Sequence, residues 1–257
     1  MKIGAIIQAR MSSTRLPGKV MADIAGKPLL EWVIRRTKQA KSVSLVMVAT
    51  SDGPRDDVIE RFCERTRTAC FRGSEQDVLD RYYQSAKSFS PDAVVRITAD
   101  CPLIDPMVID TVVRVFQESN YDYVSNTIVP TYPDGLDTEV FSYRVLEHAW
   151  REARAKSERE HVTPFIWKHP ELFRLRNVEN NRNLSELRWT VDTPQDLEFV
   201  RRVYEYLDEL PSFGMNEVLA LLEEHPELKE INAGFERNEG YEKSLSEDSL
   251  ACNKGIE

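Results

Sequence analysis

Glycine is scarce in this sequence, 10 residues in 257, and no two glycines are separated by a single residue. That excludes a G-x-G-x-x-G dinucleotide fingerprint, whose glycines make the turn and let backbone approach a pyrophosphate. A P-loop is excluded as well. Five positions before Gly18-Lys19 stands Ser13 instead of glycine, and Val20 follows the lysine where Ser or Thr would be needed. Cysteine is sparse too: Cys63, Cys70, Cys101 and Cys252 show neither C-x-x-C spacing nor a histidine at ligand spacing. Free thiols in a reducing compartment are expected, with Cys101 a small buried hydrophobe and not a nucleophile. No charged-then-apolar signal peptide opens the sequence, and no apolar run reaches membrane-spanning length, so a cytoplasmic protein without a membrane partner is expected. Positive charge is in deficit, with a formal net charge of −9, which argues against non-specific nucleic-acid binding.

Against this background one segment stands out. Residues 3–28, IGAIIQARMSSTRLPGKVMADIAGKP, begin with an apolar run and pass into a loop of small, polar and basic residues. Arg10, Arg15 and Lys19 place three cations on that loop, with hydroxyls of Ser12, Ser13 and Thr14 between them. Cations and hydroxyls gathered after a buried strand suit a highly charged anion, and a triphosphate fits best.

A hydrophobic content of 41% and a charged content of 30% are ordinary for a globular domain. Strand-like apolar runs at 3–9, 44–50, 69–71 and 93–98 alternate with helical spacing at 29–39, 56–65 and 76–87. This pattern predicts an α/β fold with a three-layer, Rossmann-like, mostly parallel sheet covered by helices on both faces. Ligands in such sheets sit beyond the carboxyl ends of the strands, where the basic loop and Thr98-Ala99-Asp100-Cys101-Pro102 both fall. Further on, strands are expected at 121–126, 139–141, 172–178 and 187–191. Helices are expected after Ser142 and at 160–168, 193–207 and 215–224. One domain over 1–235 follows, with a polar, acidic and disordered tail at 236–257.

Triphosphate chemistry calls for Mg²⁺, which needs only one or two carboxylates near the phosphates. Asp100, just past a buried strand, and Asp192, just before Thr193-Pro194, are the two candidates, although either would also serve as a helix or turn cap. Gly73-Ser74-Glu75-Gln76-Asp77 opens a helix in the manner of a capping box, a role that explains the motif structurally. The same helix start would offer backbone donors to a base or phosphate. Of the four histidines, His161 has the most suggestive setting, in Glu160-His161-Val162-Thr163-Pro164.

The stretch QARMSSTRLPGKVMADIAGKPLL resembles the N-terminal motif of the cytidylyltransferases that make CMP-activated sugar acids, among them CMP-Kdo synthetases and acylneuraminate cytidylyltransferases. RGSEQDVLDRYY, RITADCPLID, GLDTEVFS, REHVTPFI and RWTVDTPQDL, in that order, resemble the branch named for spore coat polysaccharide biosynthesis protein F, over about residues 1–210. The resemblance implies a nucleotidyltransferase fold and transfer of CMP from CTP to an acceptor oxygen of a sugar acid or related acidic or phosphorylated small molecule. Pyrophosphate is released, Mg²⁺ is the cofactor and a homodimer is the assembly. It implies further that Ala9, Arg10 and Ser13 line the nucleotide pocket, that Arg15 and Lys19 hold the triphosphate, and that Gly73, Ser74 and Asp77 approach the cytosine and ribose. Asp100 and Asp192 would hold Mg²⁺, and Asp137, Glu139 and His161 would face the acceptor. CMP-Kdo synthetases carry Gly-Asp-Glu-Pro where this chain has Ala99-Asp100-Cys101-Pro102, and Gly-Thr-Asp/Glu-Arg where it has Gly73-Ser74-Glu75-Gln76. The acceptor is therefore left open. A glycosyltransferase on a similar sheet is the competing enzyme, but the Asp-x-Asp metal motif usual there is absent. A non-catalytic nucleotide-binding protein is the third alternative.

Overall fold

The computed structural model describes residues 1–118, 120–207, 212–235, 237 and 239–254. Its centre is a parallel core of β1 (Ile3–Gln8), β4 (Leu45–Ser51), β5 (Ala69–Gly73) and β6 (Ala93–Thr98). A two-strand hairpin, β2 (Asp23–Ile24) and β3 (Lys27–Pro28), stands apart. The sheet is completed by β7 (Tyr123–Ser125), β8 (Glu139–Ser142) and β9 (Leu175–Asn177), in the order β5-β4-β1-β6-β8-β7-β9. β8 alone runs against its neighbours. That reversal brings the start of β8, with Glu139, opposite Arg96 near the carboxyl end of β6.

The central strands read as continuous apolar runs because both faces are covered. Ile3, Ala5 and Ile7 of β1 face one core with α1 (Leu29–Gln39), α2 (Asp57–Thr66), α4 (Pro106–Gln117), α8 (Pro194–Leu207) and α9 (Met215–Glu224). Ile6 faces the other, with α3 (Val78–Phe89), α5 (Tyr143–Glu152) and the segment around Val162 to Phe173. Period-2 alternation in the strands and helical spacing in their partners thus build the three layers.

Most expected elements form within a residue or two of the expected bounds. Pro106–Gln117 is a helix that the strand–helix alternation above does not include, although its signals are present. Asp105 caps it, accepting from Met107 N at 2.6 Å, proline starts it, and Val108, Ile109, Val112, Val113 and Phe116 form its buried stripe. The helix expected over 160–168 is two short ones, α6 (Lys156–His161) and α7 (Pro164–Trp167). Pro164 brings no N–H to continue the first, and between them Val162 sits at φ 74°, a strained position for a β-branched residue. Residues 187–191 form no strand; they run beside the loop before β8, bridging Asp134 and Arg188. A helix, α10 (Glu239–Lys254), lies where composition led to the expectation of a disordered tail. Its polar residues are matched by polar partners on α6, a form of packing that hydrophobicity does not register.

Candidate active site

The loop of residues 9–18 leaves β1 and is pinned from below. Asp56, 2% exposed, accepts from Met11 N at 2.7 Å and from Ser51 N at 3.2 Å. Gly18 closes the loop at φ 74°, a conformation that favours glycine, and its N–H returns to Met11 O at 3.0 Å. The turn delivers Lys19 into the interior.

There the Lys19 ammonium meets Asp100 Oδ2 at 2.8 Å, Asp192 Oδ1 at 2.7 Å and Val191 O at 2.8 Å. Burial works against the lysine's charge, but Asp100 and Asp192 outweigh it and hold its pKa above the ordinary value. For Asp100, burial favours the neutral form, yet Lys19 prevails and draws the carboxyl down to about 2. Asp192 also accepts from Arg15 at 2.9 Å and Arg188 at 3.1 Å.

Neither aspartate is used up as a cap. Asp105 caps the helix after Asp100. The start of α8 is capped by a reciprocal pair, in which Thr193 N donates to Asp196 Oδ2 at 2.9 Å and Asp196 N to Thr193 Oγ1 at 3.2 Å. Asp192 N also donates to Asp196, which turns the Asp192 carboxylate toward the cleft. The two carboxylates converge on one cationic point, which fits Mg²⁺: one or two carboxylates, waters and phosphate oxygens complete its shell. Among the described residues no three His, Cys, Asp or Glu side chains gather into a metal cage.

A cleft of about 970 Å³ opens above this floor. Ala9, Arg10, Ser13, Arg15, Lys19, Asp100, Asp192, Asp137, Glu139 and His161, all singled out in the sequence, line it together. Of the three loop cations, Arg10 and Arg15 are exposed, with 44% and 37% of their side chains accessible. Ser13 Oγ accepts from Leu16 N at 3.3 Å.

Gly73, Ser74 and Asp77 are not among the lining residues. Ser74 Oγ accepts from Asp77 N at 3.0 Å, and Asp77 caps α3 through Asp80 N at 2.9 Å while pairing with Arg159. The cap serves the helix, and Val78 and Arg81 of the same helix reach the cleft instead.

On the far side of the cleft, Glu139 is 5% exposed and both its oxygens are engaged, one by Arg96 and one by Tyr123 Oη at 2.6 Å. Asp134 and Asp137 share Arg237. Burial, then the neighbouring Asp137, raises Asp134 to about 7, although Arg237 and Arg188 pull the other way. Burial, then Arg96, lowers His161 to about 4, so its ring is neutral near pH 7; Nε2 lies 3.0 Å from Ser244 Oγ. Gly135, at φ 108°, packs its Cα against the Trp189–Thr190 backbone, where a Cβ would come within 2.7 Å. This close approach joins the Asp134 loop to the Asp192 segment.

Sequence reasoning missed Arg188. Buried at 8% exposure, it bonds Asp134 at 3.2 Å, Asp192 at 3.1 Å and Asp196 at 2.9 Å. The available signal was a lone charge within an apolar run, LRWTV, since a buried arginine needs partners. Arg96 within AVVRI carries the same signal. Cys63, Cys70 and Cys101 are free thiols, and Cys101 is buried with its pKa pushed well up by that burial.

A mostly parallel sheet with cations and convergent carboxylates beyond its carboxyl edge, open to an anion of triphosphate size, belongs to the nucleotidyltransferase class of enzymes. The family model described as cytidylyltransferase matches residues 4–231. The protein MJ1063 of Methanocaldococcus jannaschii is 37% identical over 94% of this chain and 98% of its own length. Spore coat polysaccharide biosynthesis protein SpsF of Bacillus subtilis is 34% identical over 86% of this chain and 94% of its own. A cytidylyltransferase structure from Leptospira borgpetersenii superposes with a TM-score of 0.86 at 32% identity, covering 92% of this chain and all of that one. The chain belongs to the cytidylyltransferase family. No helix among the described residues is long and apolar enough to cross a membrane.

Proposed function

We propose that this enzyme is a Mg²⁺-dependent, cytoplasmic, homodimeric cytidylyltransferase that activates a small acidic acceptor for surface polysaccharide or glycoconjugate synthesis. An acceptor oxygen, from a sugar acid or a related phosphorylated molecule, attacks the α-phosphorus of CTP. The Pα–O bond to the β-phosphate breaks and pyrophosphate leaves. The observation that carries this reading is the convergence of Asp100 and Asp192 on Lys19, with Arg15 beside them. The printed name of the SpsF relative supports the polysaccharide context.

In this reading the protein positions reactants and neutralises charge. Arg10 and Arg15, the accessible cations of the loop, receive the triphosphate, and Lys19 turns from its carboxylates toward the departing pyrophosphate. Asp100 and Asp192 hold Mg²⁺, which neutralises phosphate charge when bound. Asp137 and His161 face the acceptor, and Glu139, held by Arg96 and Tyr123, acts by fixing Arg96.

The test is thermal melting with CTP, UTP, ATP, GTP and a UDP-sugar, each with and without Mg²⁺. Stabilisation by CTP with Mg²⁺ alone is expected, followed by pyrophosphate release on adding acceptors. A shift with the UDP-sugar only would make the protein a glycosyltransferase, and no shift with any of them would remove the triphosphate reading.

A further inference from the structure

Beyond the residues matched by the family model, α10 lies across the mouth of the cleft, and Glu239, Tyr241, Lys243, Ser244 and Glu247 join its lining. Two contacts touch substrate positions directly. Glu239 pairs with Arg15, the cation assigned to the triphosphate, and Arg237 pairs with Asp137, assigned to the acceptor side. The C-terminal segment thus sets an anion on the phosphate cation and a cation on the acceptor carboxylate. At Arg15 this is the charge the triphosphate would bring.

Its attachment is polar. Lys156 pairs with Glu247 at 2.5 Å, Ser157 N donates to Asp248 at 3.2 Å, and Ser244 bonds Glu160 at 3.1 Å. Tyr241 sets its ring edge-on to His161 and Trp167, and its Oη is buried without a hydrogen-bond partner. Among the described side chains of α10 only Ser244 is buried, so little apolar area holds the helix down. Exposed ion pairs add little, and most helical stability in proteins comes from packing an apolar face. Such an element yields readily to a competitor carrying several negative charges.

We propose that the C-terminal helix is a self-docked strap whose Glu239 carboxylate holds the triphosphate's place on Arg15, so that CTP and the docked strap exclude one another. The proposal rests on the CTP reading above. Docking then weakens apparent affinity by the fraction of molecules open: a strap closed nine times in ten costs about tenfold in Kd.

Calorimetry on the full chain, with CTP and Mg²⁺ and separately with inorganic tripolyphosphate, tests it. Glu239→Gln is expected to tighten both ligands about 3–10-fold. Asp248→Ala, which loosens the strap without touching Arg15, is expected to tighten them about 2–3-fold. Hydrogen exchange of α10 amides in the unaltered protein is expected to speed up when tripolyphosphate saturates the site. Affinities unchanged or weakened in Glu239→Gln, with α10 protection steady or rising, overturn the strap while CTP binding itself still stands. Tripolyphosphate binding with these shifts but no CTP binding keeps the strap and removes the cytidylyltransferase reading. Binding of neither ligand overturns both.

Discussion

Lys19 is the residue on which the site turns, because its ammonium is shared by Asp100, Asp192 and a backbone carbonyl in a buried position. Replacing Lys19 or Asp100 by Ala is expected to lower pyrophosphate release from CTP by about 10²–10³, the loss typical of one preorganised electrostatic group. Circular dichroism checks that the fold is kept, and near-normal turnover would exclude that residue from the chemistry. His161 supplies a pH test. Its folded pKa, about 4, lies below the roughly 6.5 of an unfolded chain, so the unfolded state takes up the proton first as pH falls. Stability from the neutral ring is present above pH 6.5 and is lost down to about pH 4, by roughly 2–3 kcal/mol. Asp134, raised to about 7, acts with the opposite sign, since its unfolded form releases its proton first as pH rises from about 4. Comparing urea unfolding of His161→Gln with the unaltered chain isolates the histidine: the variant should lose less stability between pH 6.5 and 4. Equal slopes would mean that the ring is not buried neutral. The loop cations were legible as residues because three of them follow an apolar run. Arg188 was not, because its importance lies in partners at Asp134, Asp192 and Asp196.

At the scale of elements, α8 shows how a helix start builds a site. Asp196 has no exposure and accepts from Asp192 N, Thr193 N, Arg188 and Asn232. Asp196→Ala leaves Arg188 and two N–H groups short of a partner, and a loss of about 3–5 kcal/mol is expected in urea unfolding. Weaker Mg²⁺-dependent stabilisation by CTP should accompany it, because Asp192 is no longer turned toward Lys19. A loss under about 1 kcal/mol would show that the cap and ion pair are replaceable. Apart from α4, the central strands and helices of the first half were readable because each is an apolar run or a helical stripe, a property of neighbouring residues. The division at Val162 was harder to read, since Pro164 ends one helix and begins the next. α10 escaped because its contacts are ionic, and composition registers such residues as solvent-seeking.

The whole molecule carries a net charge of −9, yet its loop cations line a single cleft, so anion binding is expected there and not over the surface at large. CTP with Mg²⁺ at a hundred times its dissociation constant should add roughly 2.7 kcal/mol to the global unfolding free energy. For a chain of this size that corresponds to a rise in melting midpoint of about 5–10 °C. The same nucleotide without Mg²⁺ should give a clearly smaller rise; equal rises would detach the metal from nucleotide binding. By itself the sequence determined the layered α/β architecture and the basic loop beyond β1. Alternation of apolar runs, turn chemistry and charge spacing act over a few residues and survive without knowledge of the fold. Only the tertiary structure decided that Asp100 and Asp192, 92 positions apart, meet on one lysine. It alone joined Arg188 to three aspartates and laid the acidic C-terminal helix over Arg15. Such ion pairs depend on distances between segments remote in the chain, which no local pattern encodes.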